Sequence, residues 1–329
     1  MTPSPRRVAL IIAAAGLLLA AAVTGWFGWQ RYQWSAAGPA PAEITVFVEP
    51  GSSLTAAARA LEKSGVIAST TRFLRLARRF GGDRSIQAGE YAFPAHASMA
   101  EVLDLMQQGR VLLHKVTLVE GMSALQLYER LLAEPLLTGD VAIPEEGTLL
   151  PDTYTFSRGE SRAAVLARMQ SAMEATLAEL WGRRAPGLPF ATPREAVTLA
   201  SIVEKETSKK EELTEVAGVY INRLRLGMKL QADPTVIYPI TRGKPLGRRI
   251  RLSELRADND YNTYVITGLP AGPIANPSRR SLAAVLNPAK TDNLYFVADG
   301  SGGHVFAPDL DTHNRNVARW RQFRAEQGI

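Results

Sequence analysis

The chain has 329 residues, of which 46% are hydrophobic and 21% are charged, so two domains with ordinary globular cores fit within it. Its net charge of +6 is compatible with an anionic polymer or lipid nearby, but this excess is too mild to argue for nucleic acid. Because there is no cysteine, disulfides and thiolate metal sites are excluded.

The N-terminal segment has the length and composition of a membrane-spanning helix. Residues 8–30 carry no charge, and the run VALIIAAAGLLLAAAVTGWF at 8–27 is apolar or small throughout. At about 1.5 Å rise per residue, such a helix crosses a hydrocarbon core of about 30 Å. Arg6 and Arg7 precede it without an acidic counterweight, so we expect residues 1–7 to form a cytoplasmic tail and the chain beyond the helix to lie outside the cytoplasm.

This segment fits either an uncleaved anchor or a secretory signal peptide. Three alanines at 20–22 resemble a cleavage site, which would make Val23 the mature N-terminus. The apolar run that continues to Phe27 favours the anchor instead. The anchor is also favoured by an aromatic cluster suited to the outer membrane–water interface, which consists of Trp26, Trp29, Tyr32 and Trp34. We therefore predict a single-pass protein of the inner membrane.

Beyond the helix, the sequence predicts a linker and then a small α+β module. The linker covers residues 28–42, and its basis is the small, Pro-containing stretch SAAGPAPAE at 35–43. The module covers residues 43–115, where an extended apolar stretch, a turn, a serine cap and a helix recur. In its second copy, EYAFPAHASMAEVLDLMQQG, Ser98 and Glu101 have capping-box spacing and Gly109 is placed to end the helix.

The first copy of this pattern resembles a LysM-type module. It reads VEPGSSLTAAARALEKSGVI and is followed by a further helical stretch at 73–80. The resemblance depends on the spacing of Gly51, Ser52, Leu54 and Leu61. It implies binding to N-acetyl-sugar polymers such as peptidoglycan. A generic strand–helix packing module is the alternative.

A helix that starts at Thr192 brings two glutamates to the end of an apolar run, in LASIVEKETS. Thr192, Pro193 and Glu195 have the pattern of an N-cap, a first-turn proline and a capping box. Glu204 and Glu206 flank the apolar stripe of this helix on opposite sides. Partial burial at such a margin raises the pKa of a carboxyl group, which makes a proton donor available near neutral pH. The alternative is a solvated or lysine-paired glutamate, and the pattern alone does not choose between the two residues.

The segments after this helix have the composition of a glycan-binding groove. Loops stiffened by glycine and proline present rings that stack on sugar faces and amides that bind hydroxyl and N-acetyl groups. Taken alone, each segment also has the composition of an ordinary surface loop. The candidate substrate-binding residues are Glu206, Gln231, Asp233, Thr235, Tyr261, Asn262, Tyr264 and Asn276.

Four segments resemble the motifs of the YceG-like family, the membrane-bound endolytic murein transglycosylases. They are LASIVEKET, VYINRLRLGMKLQADPTVIY, YNTYVITGLPAGPIANPS and LYFVADGSGGHVFAPDLDTHNRNV, in the family's order. The resemblance covers nearly the whole chain and is close over residues 193–317. It implies an α+β chain in which residues 116–329 form a mixed α/β catalytic domain. It also implies that Glu204, the first glutamate of IVEKET, is the catalytic residue.

The activity implied by this resemblance is cleavage of the β-1,4 bond between N-acetylmuramic acid and N-acetylglucosamine in nascent strands, which terminates their elongation. The bond breaks without water and leaves a 1,6-anhydromuramoyl end. Glu204 would protonate the leaving oxygen and then accept the proton of the sugar's own 6-hydroxyl, while Glu206 would tune or position. The implied partners are peptidoglycan strands, the inner membrane and peptidoglycan synthases, with no nucleic acid.

Two other functions fit the sequence. A hydrolytic muramidase would need a second carboxylate, for which Asp233 is the candidate. A non-catalytic peptidoglycan-binding scaffold would need no acid at all. Neither a metal nor another cofactor is predicted, since there is no HExxH motif or Gly-rich phosphate loop and the histidines lack ligand spacing. These histidines are His96, His114, His304 and His313.

Overall fold

The computed structural model describes residues 5–328, which form two units. The first contains residues 5–114 and 157–159, and the second contains residues 115–156 and 160–328. Both units combine helices with short strands, which pair in twos. The predicted α+β class is therefore confirmed.

The first unit begins with the helix α1 (Pro5–Ser35). Among residues 5–328 it is the one helix that is long and apolar enough to cross a membrane, and its apolar window, with a mean hydropathy of 2.4, is fully exposed. The helix continues past residue 27, because Gln30 and Trp34 are buried against the rest of this unit. Residues 28–35 of the predicted linker are therefore helical.

The rest of the first unit is a strand–helix–helix–strand arrangement followed by a further helix. The two strands pair antiparallel, with Ile44 opposite Phe93. Ser53, Ser69 and Ser98 each cap a helix by accepting a backbone N–H. Apolar side chains of all five elements meet in one core. In chain order these are β1 (Ile44–Val48), α2 (Leu54–Lys63), α3 (Thr70–Phe80), β2 (Gly89–Phe93) and α4 (Met99–Gln108). The LysM-like character of this module stays a prediction.

The second unit is mostly helical, with two short strand pairs. Strand β3, which starts at the junction of the units, pairs with β4, and β5 pairs with β6. A 3-10 turn at Lys210–Glu212 precedes α8. The elements are β3 (Leu113–Thr117), α5 (Ala124–Leu132), β4 (Thr153–Ser157), α6 (Arg162–Gly182), α7 (Pro193–Glu206), α8 (Leu213–Arg225), α9 (Asp233–Thr241), α10 (Leu252–Leu255), α11 (Arg279–Leu286), β5 (Tyr295–Ala298), β6 (His304–Ala307) and α12 (Leu310–Gln327).

Helix α7 lies at the centre of the second unit, with α8 and α11 packed against it. Thr192 and Glu195 form both halves of the predicted capping box. Every residue from Ala196 to Val203 is buried, whereas the sequence predicts a single apolar stripe. The small polar side chains within this stretch tolerate burial because they bond to their own helix. Ser201 Oγ, for example, donates to the Thr198 carbonyl at 2.7 Å.

The segment after α8 differs from its predicted form. The sequence places Asp233 and Thr235 in a polar loop, but both lie in the first turn of α9. Pro234 follows Asp233 directly, and proline is well tolerated at a helix start because the first N–H groups have no partner within the helix. The predicted loop therefore ends at Ala232.

Candidate active site

Glu204 lies in the last turn of α7, where the helix leaves the core. Its side chain is half-buried, and Oε2 accepts a hydrogen bond from the backbone N–H of Ser278 at 2.8 Å. Ser278 is the N-cap of α11. None of the described residues hydrogen bonds the other oxygen, Oε1. One carboxylate oxygen is thus oriented by the backbone, and the other is available.

The loop that carries Ser278 is tied to α7 at a second point. The Ile274 N–H donates to Ser201 Oγ at 3.0 Å. Ser201 is fully buried, so this bond is shielded from competing water. Two backbone N–H groups of one loop therefore bond to side chains of α7, and together they set the direction of the Glu204 side chain.

A second loop approaches Glu204 through Gly121. The backbone of Gly121 has a φ of 74°, and a Cβ there would lie 3.5 Å from Cγ of Glu204 and 3.4 Å from Cδ of Lys205. The Gly121 N–H bonds to the Asn276 carbonyl at 3.2 Å, and its own carbonyl accepts from Lys205 Nζ at 3.3 Å. Glycine fits here because this left-handed backbone is costly for residues with a side chain.

A cavity of about 390 Å³ opens beside Gly121 and Lys205. This volume is in the range of small-ligand sites. Met122, Ile237 and Tyr238 contribute apolar surface. Lys205 and Lys244 line the same cavity together with Glu120, and Lys244 Nζ forms an ion pair with Glu129 at 2.6 Å.

A neighbouring cavity of about 260 Å³ shares Tyr238 with the first. Tyr261, one of the predicted groove residues, lines this second cavity, and its ring centroid lies 5.2 Å from that of Tyr238. Arg194 and Arg242 supply the cationic side of the lining. The two tyrosines thus present an aromatic pair of the kind that stacks on sugar rings.

Glu146 is a residue of this region that sequence reasoning missed. Its carboxylate accepts hydrogen bonds from the Ala124 N–H at 2.8 Å, the Tyr238 hydroxyl at 3.1 Å and the Asn276 amide at 3.2 Å. Burial raises the pKa of Glu146, and the hydrogen bonds from Ala124 and Tyr238 oppose that effect. Its signal in the sequence is weak, since an acidic residue before a glycine is common in turns.

Glu206 lies at the opposite side of α7 from Glu204. Its Oε1 is buried and has no hydrogen-bond partner among the described residues. Burial raises the pKa of Glu206 to about 7, the negative charge of Asp233 adds to this, and the Tyr220 hydroxyl and the charge of Arg223 oppose it. Glu206 is thus a carboxyl group that titrates near neutral pH.

Two other predicted site residues, Asp233 and Tyr264, lie around Glu206. Asp233 is near enough to affect its charge, and Asp233 Oδ1 accepts a hydrogen bond of 2.6 Å from the Tyr264 hydroxyl. Arg223 is held in place by its bonds to the carbonyls of Leu230 at 2.8 Å and Leu294 at 2.6 Å. The predicted residues around Glu204 and those around Glu206 therefore form two separate clusters.

Three predicted substrate-binding residues are fully buried, namely Thr235, Asn262 and Asn276. Their side chains bond to protein carbonyls, at 2.6 Å for Thr235, 2.7 Å for Asn262 and 3.0 Å for Asn276. We therefore correct their role, because a side chain with no exposed surface cannot contact a saccharide. Their amide and hydroxyl groups hold the neighbouring backbone in place instead. Gln231 by contrast is exposed, and its backbone N–H donates to the Thr263 carbonyl at 3.1 Å.

Comparison with known proteins places this arrangement in a family. A profile of the YceG-like family matches residues 46–319. The chain belongs to the YceG-like family. The family resemblance predicted from the four sequence motifs is thereby confirmed.

Relatives of this YceG-like chain carry a functional name. An endolytic murein transglycosylase of Bacillus subtilis strain 168 is 29% identical over 321 residues, which cover 86% of each chain. An endolytic murein transglycosylase of Streptococcus pneumoniae D39 is 29% identical over 364 residues, or 94% of this chain and 65% of that protein. A crystal structure of a YceG-like protein from Listeria monocytogenes superposes with a TM-score of 0.53 at 27% identity, over 83% of this chain and 98% of that one.

The YceG-like site has the parts that acid catalysis requires. Glu204 has one oxygen fixed and one free, and a cavity opens beside the residues that contact it. General acid catalysis needs a carboxyl group within hydrogen-bond reach of the atom that it protonates. Such a site can transfer a proton to and from a ligand bound next to Gly121 and Lys205.

Proposed function

We propose that this YceG-like chain is an endolytic peptidoglycan lytic transglycosylase with Glu204 as its catalytic acid and base. The observation that carries the proposal is the half-buried Glu204 carboxylate, held by the Ser278 N–H and free at Oε1. Gly121 and Lys205, which lie next to Glu204, line a cavity of about 390 Å³. The relatives named endolytic murein transglycosylase support the substrate class. Helix α1 anchors the chain in the inner membrane with the catalytic unit outside the cytoplasm.

The proposed reaction breaks the β-1,4 bond between N-acetylmuramic acid and N-acetylglucosamine. Protonated Glu204 donates to the glycosidic oxygen, which leaves as the 4-hydroxyl of N-acetylglucosamine. The 6-hydroxyl oxygen of the muramic acid attacks its own C1, and its proton passes to ionised Glu204. The product carries a 1,6-anhydro ring, and the enzyme returns to its protonated form.

One carboxylate is sufficient in this mechanism because the nucleophile is already part of the substrate. Hydrolytic glycosidases use a second carboxylate to activate water or to form a covalent intermediate. A tethered hydroxyl replaces that bimolecular step, and well-oriented intramolecular reactions reach effective molarities of about 10⁵ M or more. Asp233 is not required as a second carboxylate, and its Oδ1 is bonded to Tyr264.

Other residues support binding and geometry. Gln231, Asp233, Tyr261 and Tyr264 contact the glycan from the start of α9 and the loops after α7. The buried Thr235, Asn262 and Asn276 hold these segments in place. Glu206 positions the end of α7 through its bond with Tyr220. The enzyme cuts nascent strands, and this cleavage ends their elongation. Because peptidoglycan synthases make these strands, the synthases act close to the enzyme.

Product masses test this function. The full chain in detergent is incubated with uncrosslinked glycan strands, and the fragments are analysed by mass spectrometry. We expect internal fragments whose new muramic acid ends are lighter by one water than reducing ends. Reducing ends would instead identify a hydrolytic muramidase, and intact strands that remain bound to the protein would identify a scaffold.

A further inference from the structure

Helix α3, in the first unit, carries an arginine-rich face. Its sequence, TTRFLRLARRF, contains no acidic residue. Phe73, Leu76 and Ala77 face the core. At about 100° per residue, the arginines fall within an arc of about 120°, so they point the same way. This arginine face consists of Arg72, Arg75, Arg78 and Arg79, all exposed.

The arginine face has no carboxylate partner among the described residues. Among residues 5–328, none of its four guanidinium groups forms an ion pair with a carboxylate. Arg75 lies three residues from Arg72 and Arg78 and four from Arg79, and like charges at these spacings destabilise a helix. An external anion that binds the face would remove this repulsion.

The position of the face relative to α1 indicates which anion this is. Cζ of Arg79 lies 3.8 Å from the centre of the Phe27 ring, where the apolar run of α1 ends. Trp34, two turns further along α1, packs its ring 6.1 Å from that of Phe73. The exposed rings of Trp26 and Trp29 lie on either side of Phe27 in the sequence. Helix α3 therefore packs beside the part of α1 that would leave the hydrocarbon core.

The segment of α1 that packs beside α3 is long enough to cross a head-group layer. Seven residues of helix from Phe27 to Trp34 span about 10 Å. The polar layer on each side of a bilayer is about 5–8 Å thick. Arg78 and Arg79 thus lie at the level of the lipid phosphates, and the flexible stems of Arg72 and Arg75 can extend toward them.

We propose that the arginine face of α3 binds the anionic phospholipid head groups of the leaflet from which α1 emerges. Guanidinium groups suit this role because they pair with phosphate oxygens through two parallel hydrogen bonds. The inference rests on the proposed membrane anchor and is independent of the chemistry at Glu204. Its consequence is that α3 is held at the membrane surface.

Fluorescence quenching in vesicles tests this contact. Since the chain has no native cysteine, Ser85→Cys places a single dye on an exposed residue just after α3. The full chain is reconstituted in phosphatidylcholine vesicles with or without phosphatidylglycerol, and a lipid with a quencher on its head group is added. We expect at least about twofold stronger quenching in the anionic vesicles, and a loss of this difference at high salt, because salt screens exposed charges.

Matched variants assign the effect to the arginine face. Replacement of Arg72, Arg75 and Arg78 by glutamine is expected to reduce quenching to the level of neutral vesicles. The same positions changed to lysine keep the charge and are expected to retain most of the effect. The control is a triple change to glutamine at the exposed residues Arg256, Arg319 and Arg321, which alters the net charge equally. We expect this control to leave quenching as in the wild type.

The outcomes separate this proposal from the proposed function. Equal quenching in neutral and anionic vesicles overturns lipid binding. Quenching that changes with added soluble glycan but not with anionic lipid overturns it as well. Strand cleavage measured on the same vesicles reports the enzyme function independently. Resistance of the protein to alkaline extraction from the vesicles reports the α1 anchor.

Discussion

Replacement of Glu204 by glutamine is expected to abolish strand cleavage while the protein stays folded. Glutamine keeps the shape of the side chain and can still accept the Ser278 N–H bond through its amide oxygen. It cannot give a proton to the glycosidic oxygen or take one from the 6-hydroxyl. Because general acid–base catalysis contributes about 10²–10⁴-fold, we expect a fall in rate of that size, measured as new anhydro ends per unit time.

The control for this experiment is Glu211→Gln. Glu211 is an exposed carboxylate a few residues beyond α7, in the 3-10 turn. Its replacement removes the same charge without changing the site. We expect this variant to cleave at the wild-type rate. A Glu204→Gln variant that retains activity within a factor of about ten, while Glu206→Gln loses it, would assign the acid to the other glutamate of the helix.

Replacement of Glu206 by glutamine is expected to change how stability depends on pH. Burial raises the pKa of Glu206 from 4.5 to about 7, so the folded protein holds this proton over a range in which the unfolded chain has lost it. Folding stability therefore falls as the pH rises from 4.5 to about 7, and the loss is complete above that range. The difference between the two pKa values corresponds to about 3 kcal/mol.

Glutamine mimics the protonated form, so Glu206→Gln should match the wild type near pH 4.5 and be more stable above pH 7. For a unit of this size, about 3 kcal/mol raises the melting temperature by roughly 6–12 °C. Melting curves of both proteins across this pH range provide the measurement. An equal difference in melting temperature at both ends of the range would show that Glu206 does not titrate between them.

Glu195→Gln is the matched control, because its shift has the opposite sign. Backbone N–H groups of Thr192 and Ala191 lower the pKa of Glu195 at the start of α7. The stability that this carboxylate contributes is present above its unfolded pKa and is lost as the pH falls. Glu195→Gln should therefore destabilise the protein at neutral pH, where Glu206→Gln stabilises it.

Local features of the fold can be predicted from the sequence. The capping boxes at Ser98–Glu101 and Thr192–Glu195 form as their spacing predicts, and Gly109 has the left-handed φ of 65° that ends α4. These features depend on residues three or four positions apart, whose contacts follow from helix geometry alone. The family resemblance likewise came from contiguous motifs.

Features that depend on distant residues could not be predicted in the same way. The buried side chain of Asn276 bonds to Met122 and Glu146, which lie more than a hundred residues away in the sequence. The environment of Glu206 is set by Tyr220 and Asp233, which no helical periodicity relates to it. A pattern of residue types identifies candidates for a site, but only the packing of the loops decides which of them reach a ligand.

Cleavage in water labelled with heavy oxygen tests the central claim most directly. In the proposed reaction the oxygen that closes the new ring comes from the sugar, so we predict anhydro ends that carry no label. The leaving N-acetylglucosamine keeps its own oxygen and is also unlabelled. Muramic acid ends that carry heavy oxygen as soon as they form, and that are heavier by one water, would contradict the account, because water and not the 6-hydroxyl would then be the nucleophile.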